Sequence, residues 1–203
     1  RAPLTFECWV YLKTVSGGSS GRDMLYSKNN GRSGSPYTYM FGFYYGGRIA
    51  AFDGSAWQPP DPIVTVTAGR WYHVAFCFDG KTMHYYLDGQ LVGRNNDYSF
   101  NNDVSHSVKL GGYQSSADFN GYQAEARVWN HARSARQVAE CMQQRLTGQE
   151  PGLVGYWPLN EGSGTDVPDF TNQGADGILF NTAWATTEEP RLQRLALAHP
   201  ETG

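Results

Sequence analysis

Two Asp-Gly pairs, Asp79-Gly80 and Asp88-Gly89, bracket the centre of the chain. Between and before them run Trp71-Tyr72-His73-Val74-Ala75-Phe76-Cys77-Phe78 and Thr82-Met83-His84-Tyr85-Tyr86-Leu87. Asp-Gly reverses a chain tightly, because glycine takes positive φ without steric cost. Both runs have the length and composition of strands with two distinct faces. On the first, Trp71, His73, Ala75 and Cys77 share one face and Tyr72, Val74, Phe76 and Phe78 the other. Both faces are largely apolar, as expected of a strand in the middle of a packed sheet. His73 therefore reads as a packed, hydrogen-bonded structural residue rather than a ligand or a base. Asp79 and Asp88 read as turn formers.

The rest of the chain continues the pattern. Leu4, Phe6, Cys8, Val10 and Leu12 alternate with Glu7, Trp9 and Tyr11, which predicts a strand over 4–12. Further strands are expected near 23–28, 37–45, 47–53, 63–67, 90–94, 107–111, 121–129, 153–159 and 177–180. Gly/Ser-rich and Asn/Asp-rich segments separate them. Trp57-Gln58-Pro59-Pro60-Asp61-Pro62 reads as an exposed loop whose prolines exclude regular pairing. One helix is expected after Ser134-Ala135-Arg136-Gln137, which has the form of a capping box. Val138, Cys141 and Met142 share its face, Leu146 extends it, and Gly148 and Pro151 end it. Many short strands with one late helix predict an all-β, antiparallel β-sandwich of jelly-roll type. Residues 1–185 are expected to form one domain and 186–203 a tail or linker. The chain opens in mid-strand, which suggests a piece excised from a longer protein.

Composition narrows the function. With 203 residues and a formal net charge of -3, the chain has no basic stripe of the kind that tracks phosphates, so no nucleic-acid partner is expected. No apolar run approaches the ~20 residues needed to span a bilayer, so no membrane insertion is expected. Cys8, Cys77 and Cys141 include no CxxC pair and no Cys/His cluster, which disfavours zinc. Their odd number fits one disulfide plus a free thiol, or three buried thiols.

Three motifs in order resemble a laminin-G-like, concanavalin A-like jelly roll: Leu4-Thr5-Phe6-Glu7-Cys8-Trp9-Val10, then Arg70-Trp71-Tyr72-His73-Val74-Ala75 through Tyr86-Leu87-Asp88-Gly89, then Phe119-Asn120-Gly121 through Glu125-Ala126-Arg127-Val128-Trp129-Asn130. The closing Leu153-Val154-Gly155-Tyr156-Trp157-Pro158-Leu159 also recurs in such domains. The resemblance spans roughly 4–185. The usual first strand is not evident before Leu4, so the last segment is expected to supply that sheet position. The resemblance to pentraxins implies a disulfide between Cys8 and Cys77. Gly112-Tyr113-Gln114-Ser115 stands where pentraxins carry an acidic, calcium-binding run, so their paired calcium site is not expected.

The same fold hosts hydrolases and lyases, so chemistry must be argued from residues. A glycoside hydrolase of this type wants two carboxylates on one strand face. Glu125 is alone on its strand, with Gln123 and Arg127 at the neighbouring same-face positions, and reads as a structural partner of Arg127. No enzyme is expected. Carbohydrate recognition needs aromatic faces beside amides and carboxylates. The loops offer Trp57, Tyr45, Tyr98, Asn101, Asn102, Asp103, Tyr113 and Gln114 as ligand-binding candidates, with Trp57 the sharpest. Asp166, Asp169 and Asp176 supply oxygens in a turn-rich segment and are candidates for a structural Ca2+. The expected partner is a glycan or glycoprotein, with other domains of a parent chain alongside, in a secreted or cell-surface setting. The alternatives are a protein-binding adhesion module or a spacer.

Overall fold

The computed structural model describes residues 2–17, 21–28, 39–99, 107–112, 119–171, 173–185 and 193–194. The elements run β1 (Leu4–Leu12), β2 (Arg22–Lys28), β3 (Tyr39–Tyr44), β4 (Arg48–Phe52), β5 (Trp57–Gln58), β6 (Trp71–Phe78), β7 (Met83–Leu87) and β8 (Gln90–Asn95). They continue with β9 (Val108–Leu110), β10 (Gly121–Trp129), α1 (Ala135–Cys141), β11 (Gln144–Arg145), β12 (Leu153–Trp157), β13 (Asp166–Val167), β14 (Gly177–Ile178) and β15 (Gln193–Arg194). A six-stranded sheet has the order β12-β10-β1-β6-β7-β8 and a five-stranded sheet the order β5-β4-β3-β2-β9. Every pairing within these two sheets is antiparallel. The result is the expected antiparallel β-sandwich with one short helix. The late strand β12 takes the sheet edge beside β10.

The core forms where the two inner faces meet. Phe6 of β1 lies 4.8 Å from Tyr26 of β2, and Phe41 of β3 lies 5.0 Å from Phe76 of β6, ring centre to ring centre. All four rings are buried. Each large apolar side chain removed from water contributes roughly 1.5–3 kcal/mol, so this aromatic seam is what holds the sheets face to face. The β7–β8 turn places Asp88 at φ 49° and Gly89 at φ 78°, the two positive values that a two-residue hairpin turn demands. Asp88 Oδ1 also accepts from His73 N at 2.9 Å, which ties the turn to β6.

Elements on the outer face of the six-stranded sheet depart from expectation. The Ser134–Gln137 capping box is present, but the helix stops at Cys141. Leu146 lies beyond β11 and packs with Trp129, Leu153 and Tyr156 instead of extending the helical face. Val138 packs on Ala75, Cys77 and Tyr86. Segment 130–147 thus forms a strap over part of the sheet face. Beneath it lies a layer of buried charge. Glu7 Oε1 accepts from Arg133 Nη1 at 2.6 Å and from Trp129 Nε1 at 3.1 Å. Arg127 Nη2 bonds Glu125 Oε2 at 2.8 Å, so the structural Glu125–Arg127 pair stands. The expected sharing of that face with Gln123 does not hold. Glu125 sits at φ 54° where the β1–β10 register shifts, and Gln123 turns inward to bond Leu25 O at 3.2 Å. A bulge of one residue exchanges the faces on its two sides.

The expected Cys8–Cys77 disulfide is overturned, and both thiols are free. Residues directly opposite in a sheet share a face. Cys8 stands opposite Val74, and Cys77 opposite Thr5. Cys8 therefore joins the inter-sheet core, while Cys77 lies on the other face beneath Val138. Burial pushes both thiols up, Cys77 to about 12. His73 is packed as expected, 5.4 Å from the Trp9 ring, but its Nδ1 has no hydrogen-bond partner among the described residues and its Nε2 lies 4.0 Å from Glu7 Oε2.

Two predictions follow from this layer. Thiol titration in denaturant will find three free cysteines, and in the native protein Cys8 and Cys77 will react far more slowly than the partly exposed Cys141. A Cys8–Cys77 peptide in a non-reducing digest would contradict the register. The second concerns acid. Burial lowers His73 from its ordinary 6.5 to about 4. The unfolded chain then takes up this proton first. The stability that neutral His73 carries is complete above pH 6.5 and is lost as pH falls from 6.5 toward 4, by about 3 kcal/mol. Urea unfolding of wild type and His73→Gln across this range will show the steeper decline in the wild type.

Candidate functional site: an aromatic cluster on the five-stranded sheet

Strand alternation sends Phe41, Phe43, Ile49 and Ala51 into the core and leaves Met40, Tyr44, Ala50 and Phe52 on the outer face of the five-stranded sheet. Trp57 pairs with Phe52 across β4–β5 and so joins that face. The prolines that follow do not prevent this pairing, which ends one residue before Pro59. The segment expected as strand 63–67 makes only a bridge from Thr65 to Arg48.

The rings form one group. Tyr44 and Trp57 stack at 5.3 Å and 12°, Phe52 and Trp57 meet at 5.3 Å and 58°, and Tyr44 and Tyr45 lie 4.6 Å apart. Met24 and Met40 fill the space against Phe52 and Trp57. Trp57 is half-buried rather than exposed, and Tyr45 is 40% exposed. Tyr45 (φ 43°), Gly46 and Gly47 form a left-handed turn, pinned by Tyr45 N to Gly21 O at 2.9 Å.

A polar edge borders the rings. Asp53 Oδ1 accepts from Ser55 N, Ser55 Oγ and Ala56 N at 2.7–2.8 Å, and its Oδ2 accepts from Gln58 Nε2 at 2.8 Å. Asn95 Nδ2 donates to Gln58 Oε1 at 3.1 Å. Burial opposes the charged form of Asp53, but the donors from Ala56, Ser55 and Gln58 outweigh it and hold the carboxyl below its ordinary value. The turn that presents Trp57 is thus fixed by one carboxylate.

Of the expected ligand-binding residues, the structure brings Tyr45 and Trp57 together through Tyr44. Tyr98 is a correction. It is 2% exposed, packs edge-on against Phe78 at 5.6 Å and donates to Phe52 O at 3.1 Å, so it supports the core. Asn101, Asn102, Asp103, Tyr113 and Gln114 lie outside the described residues. Tyr44 and Asn95 are among the aromatic and amide groups that the sequence offers for sugar binding, whereas Phe52, Asp53 and Gln58 are missed. Alternation along β4 carries the signal for Phe52, but the polar edge depends on pairing across chain segments.

The residues expected to bind calcium are not brought together on one site. Asp166 and Asp176 are exposed, whereas Asp169 is buried. Asp169 accepts from Tyr156 N, Thr171 N and Thr171 Oγ1, and its own N–H donates to Asp176 Oδ1. Burial opposes ionisation of Asp169, yet these donors keep its carboxyl below the ordinary range. The oxygens serve a tight turn, and no three His, Cys, Asp or Glu side chains among the described residues gather in a metal-binding group.

Two packed antiparallel sheets with one short helix make a β-sandwich of jelly-roll type, and one of its outer faces carries the aromatic cluster. The chain belongs to the concanavalin A-like lectin/glucanases superfamily, whose family model matches residues 1–139. No curated protein matches it by sequence. Among solved structures it is similar to a candidate carbohydrate-binding protein from Bacteroides ovatus, with 19% identity and a TM-score of 0.65 over 91% of this chain and 54% of that one. The chain thus spans about half the length of that protein. It is also similar to domain 4 of AbnA, an extracellular arabinanase from Geobacillus stearothermophilus, solved with arabinotriose (17% identity, TM-score 0.54, 70% of this chain and 67% of that one). A pentraxin from Limulus polyphemus shares 17% identity at a TM-score of 0.50, over 68% of each chain. At these identities the likeness is one of fold.

Replacing Asp53 with Ala removes four hydrogen bonds from a partly exposed turn. The expected cost is about 1–2 kcal/mol, with faster hydrogen exchange at the Ser55 and Ala56 amides and little change in the β1 and β6 amides.

Proposed function

We propose that this chain is a non-catalytic carbohydrate-binding module of a larger secreted or surface protein. The observation that carries this reading is the Tyr44–Tyr45–Trp57–Phe52 cluster beside the Asp53–Gln58–Asn95 edge. Sugars present C–H faces that pack on aromatic rings and hydroxyls that need aimed polar partners. The similar proteins from Bacteroides and Geobacillus support the ligand class. No helix among the described residues is long and apolar enough to cross a membrane.

Two carboxylates weigh against a catalytic role. Glu7 and Glu125 are the buried pair on one sheet face, but both are sealed beneath the strap, at 0% and 1% exposure, and committed to Arg133, Trp129, Arg127 and Tyr156. A substrate has no path to either. A second reading, a protein-binding adhesion module, is favoured by Ile178 and Phe180, apolar side chains 75% and 70% exposed near the end of the domain. These suit contact with another domain of the parent chain.

A glycan array probed with and without a calcium chelator tests the leading reading. Wild type is expected to bind at least one glycan class, and Trp57→Ala to weaken that binding about tenfold or more, the loss of one stacking anchor. If wild type binds no glycan in either condition, the carbohydrate reading fails and the Ile178–Phe180 surface becomes the leading contact.

A further inference from the structure

The strap covers only part of the outer face of the six-stranded sheet. It ends at Trp9, whose Nε1 donates to Met142 O at 2.6 Å. Beyond Trp9, the next outward position on each of three adjacent strands is aromatic. Tyr122 of β10 stands opposite Tyr11 of β1, and Tyr11 stands opposite Trp71 of β6. Ring centres are 5.7 Å apart for Tyr11–Tyr122, 5.8 Å for Tyr11–Trp71 and 6.4 Å for Trp71–Tyr122. Strand spacing makes this row about 10 Å wide. All three residues are only partly buried. Gly121 allows the row to close, since a Cβ there would meet Tyr11 O at 2.0 Å.

The chemistry of the row is not that of a core. The hydroxyls of Tyr11 and Tyr122 find no hydrogen-bond partner among the described residues. Lys13, exposed and one outward position beyond Tyr11, holds its Nζ 4.4 Å over the Tyr122 ring and has no ion-pair partner among the described residues. Arg70, next to Trp71, is already neutralised by Asp88 at 3.1 Å. The face therefore offers three mutually tilted aromatic rings, at 31–64° to one another, with two hydroxyls and one cation that lack partners among the described residues. A protein partner is best served by a larger apolar patch with a dry centre. A sugar is served by rings with polar atoms at their rims, and the uncompensated ammonium selects one that carries a carboxylate.

We propose that Tyr11, Trp71, Tyr122 and Lys13 form a second binding site, for a carboxylate-bearing saccharide. Its rings stack on the aromatic row, its hydroxyls bond the Tyr11 and Tyr122 hydroxyls, and its carboxylate pairs with Lys13 Nζ. The site takes only its ligand class from the carbohydrate reading. It shares no residue with the Trp57 cluster and lies on the opposite sheet.

Calorimetric titration of the whole chain with trigalacturonate, its carboxyl-reduced trisaccharide and sialyllactose tests it. Binding of either carboxylated probe, with the reduced trisaccharide at least tenfold weaker, is expected. Lys13→Gln, a change at an exposed position that leaves the fold intact, will weaken the carboxylated probe at least tenfold. Tyr122→Ser will weaken both trisaccharides, Tyr122→Phe will retain most of the affinity, and the loss caused by Lys13→Gln will persist in the Trp57→Ala background. The proposal is overturned if neither carboxylated probe binds wild type, if Lys13→Gln and Tyr122→Ser bind as wild type does, or if Trp57→Ala alone abolishes the signal. The last result would uphold the first site and remove the second.

Discussion

Glu7 stands on the central strand β1 with no solvent contact, and its Oε1 takes hydrogen bonds from Trp129 and Arg133 while Arg127 Nη1 lies 3.5 Å away. Arg133 in turn donates to Gln137 O, and Arg127 to Cys141 O and Gln144 O, so both guanidinium groups bind backbone carbonyls of the strap. Taking such charges out of water costs several kcal/mol for each ion, which only close pairing offsets. The strap and the charged layer consequently need each other. Without the strap, Arg127 would lose the carbonyls of Cys141 and Gln144, and Glu7 would lose Arg133. Without the charges, a seven-residue helix with one buried side chain has little to hold it on the sheet.

This clamp decides what the protein offers to its surroundings. Where the strap lies, the six-stranded sheet is dry and structural. Where it stops, at Trp9, the same alternation that buried Glu7 delivers Tyr11, Tyr122 and Trp71 to the surface. On the other sheet, no comparable strap appears among the described residues, and the outer face carries rings over methionine side chains with a polar border. The two aromatic surfaces are thus products of one rule, side-chain alternation on a sandwich, applied to faces that are covered to different extents. The carbohydrate reading rests on the chemistry of those surfaces, since the fold itself serves binding and hydrolysis alike.

Much of the scaffold was legible in the residues. The Asp-Gly turns, the alternation of β1 and β6 and the Ser134–Gln137 box are local signals, and local signals survive folding. The failures share a different origin. A Cys8–Cys77 bond needs a β1–β6 register other than the one formed, in which Cys8 faces Val74 and Cys77 faces Thr5. Simple alternation puts Gln123 beside Glu125, but one bulged residue sends it to the opposite face. Tyr98 looked like a loop aromatic until its hydroxyl found Phe52 O in the core. Asp169 looked like a cation ligand until backbone donors took its oxygens. Each error concerns which segment packs against a residue, and no window of sequence contains that segment.

Sequence alone determined the kind of fold: the period of two, the turn residues and the helix cap are written in neighbouring positions and commit the chain to an antiparallel sandwich. Tertiary structure alone decided which faces are sealed. Burial of Glu7, presentation of Trp57 by the Asp53 turn, and exposure of the Tyr11–Trp71–Tyr122 row all depend on register and on the reach of the strap. Those are set by packing between residues as far apart as Glu7 and Arg133, where free energy is gained only once both have arrived.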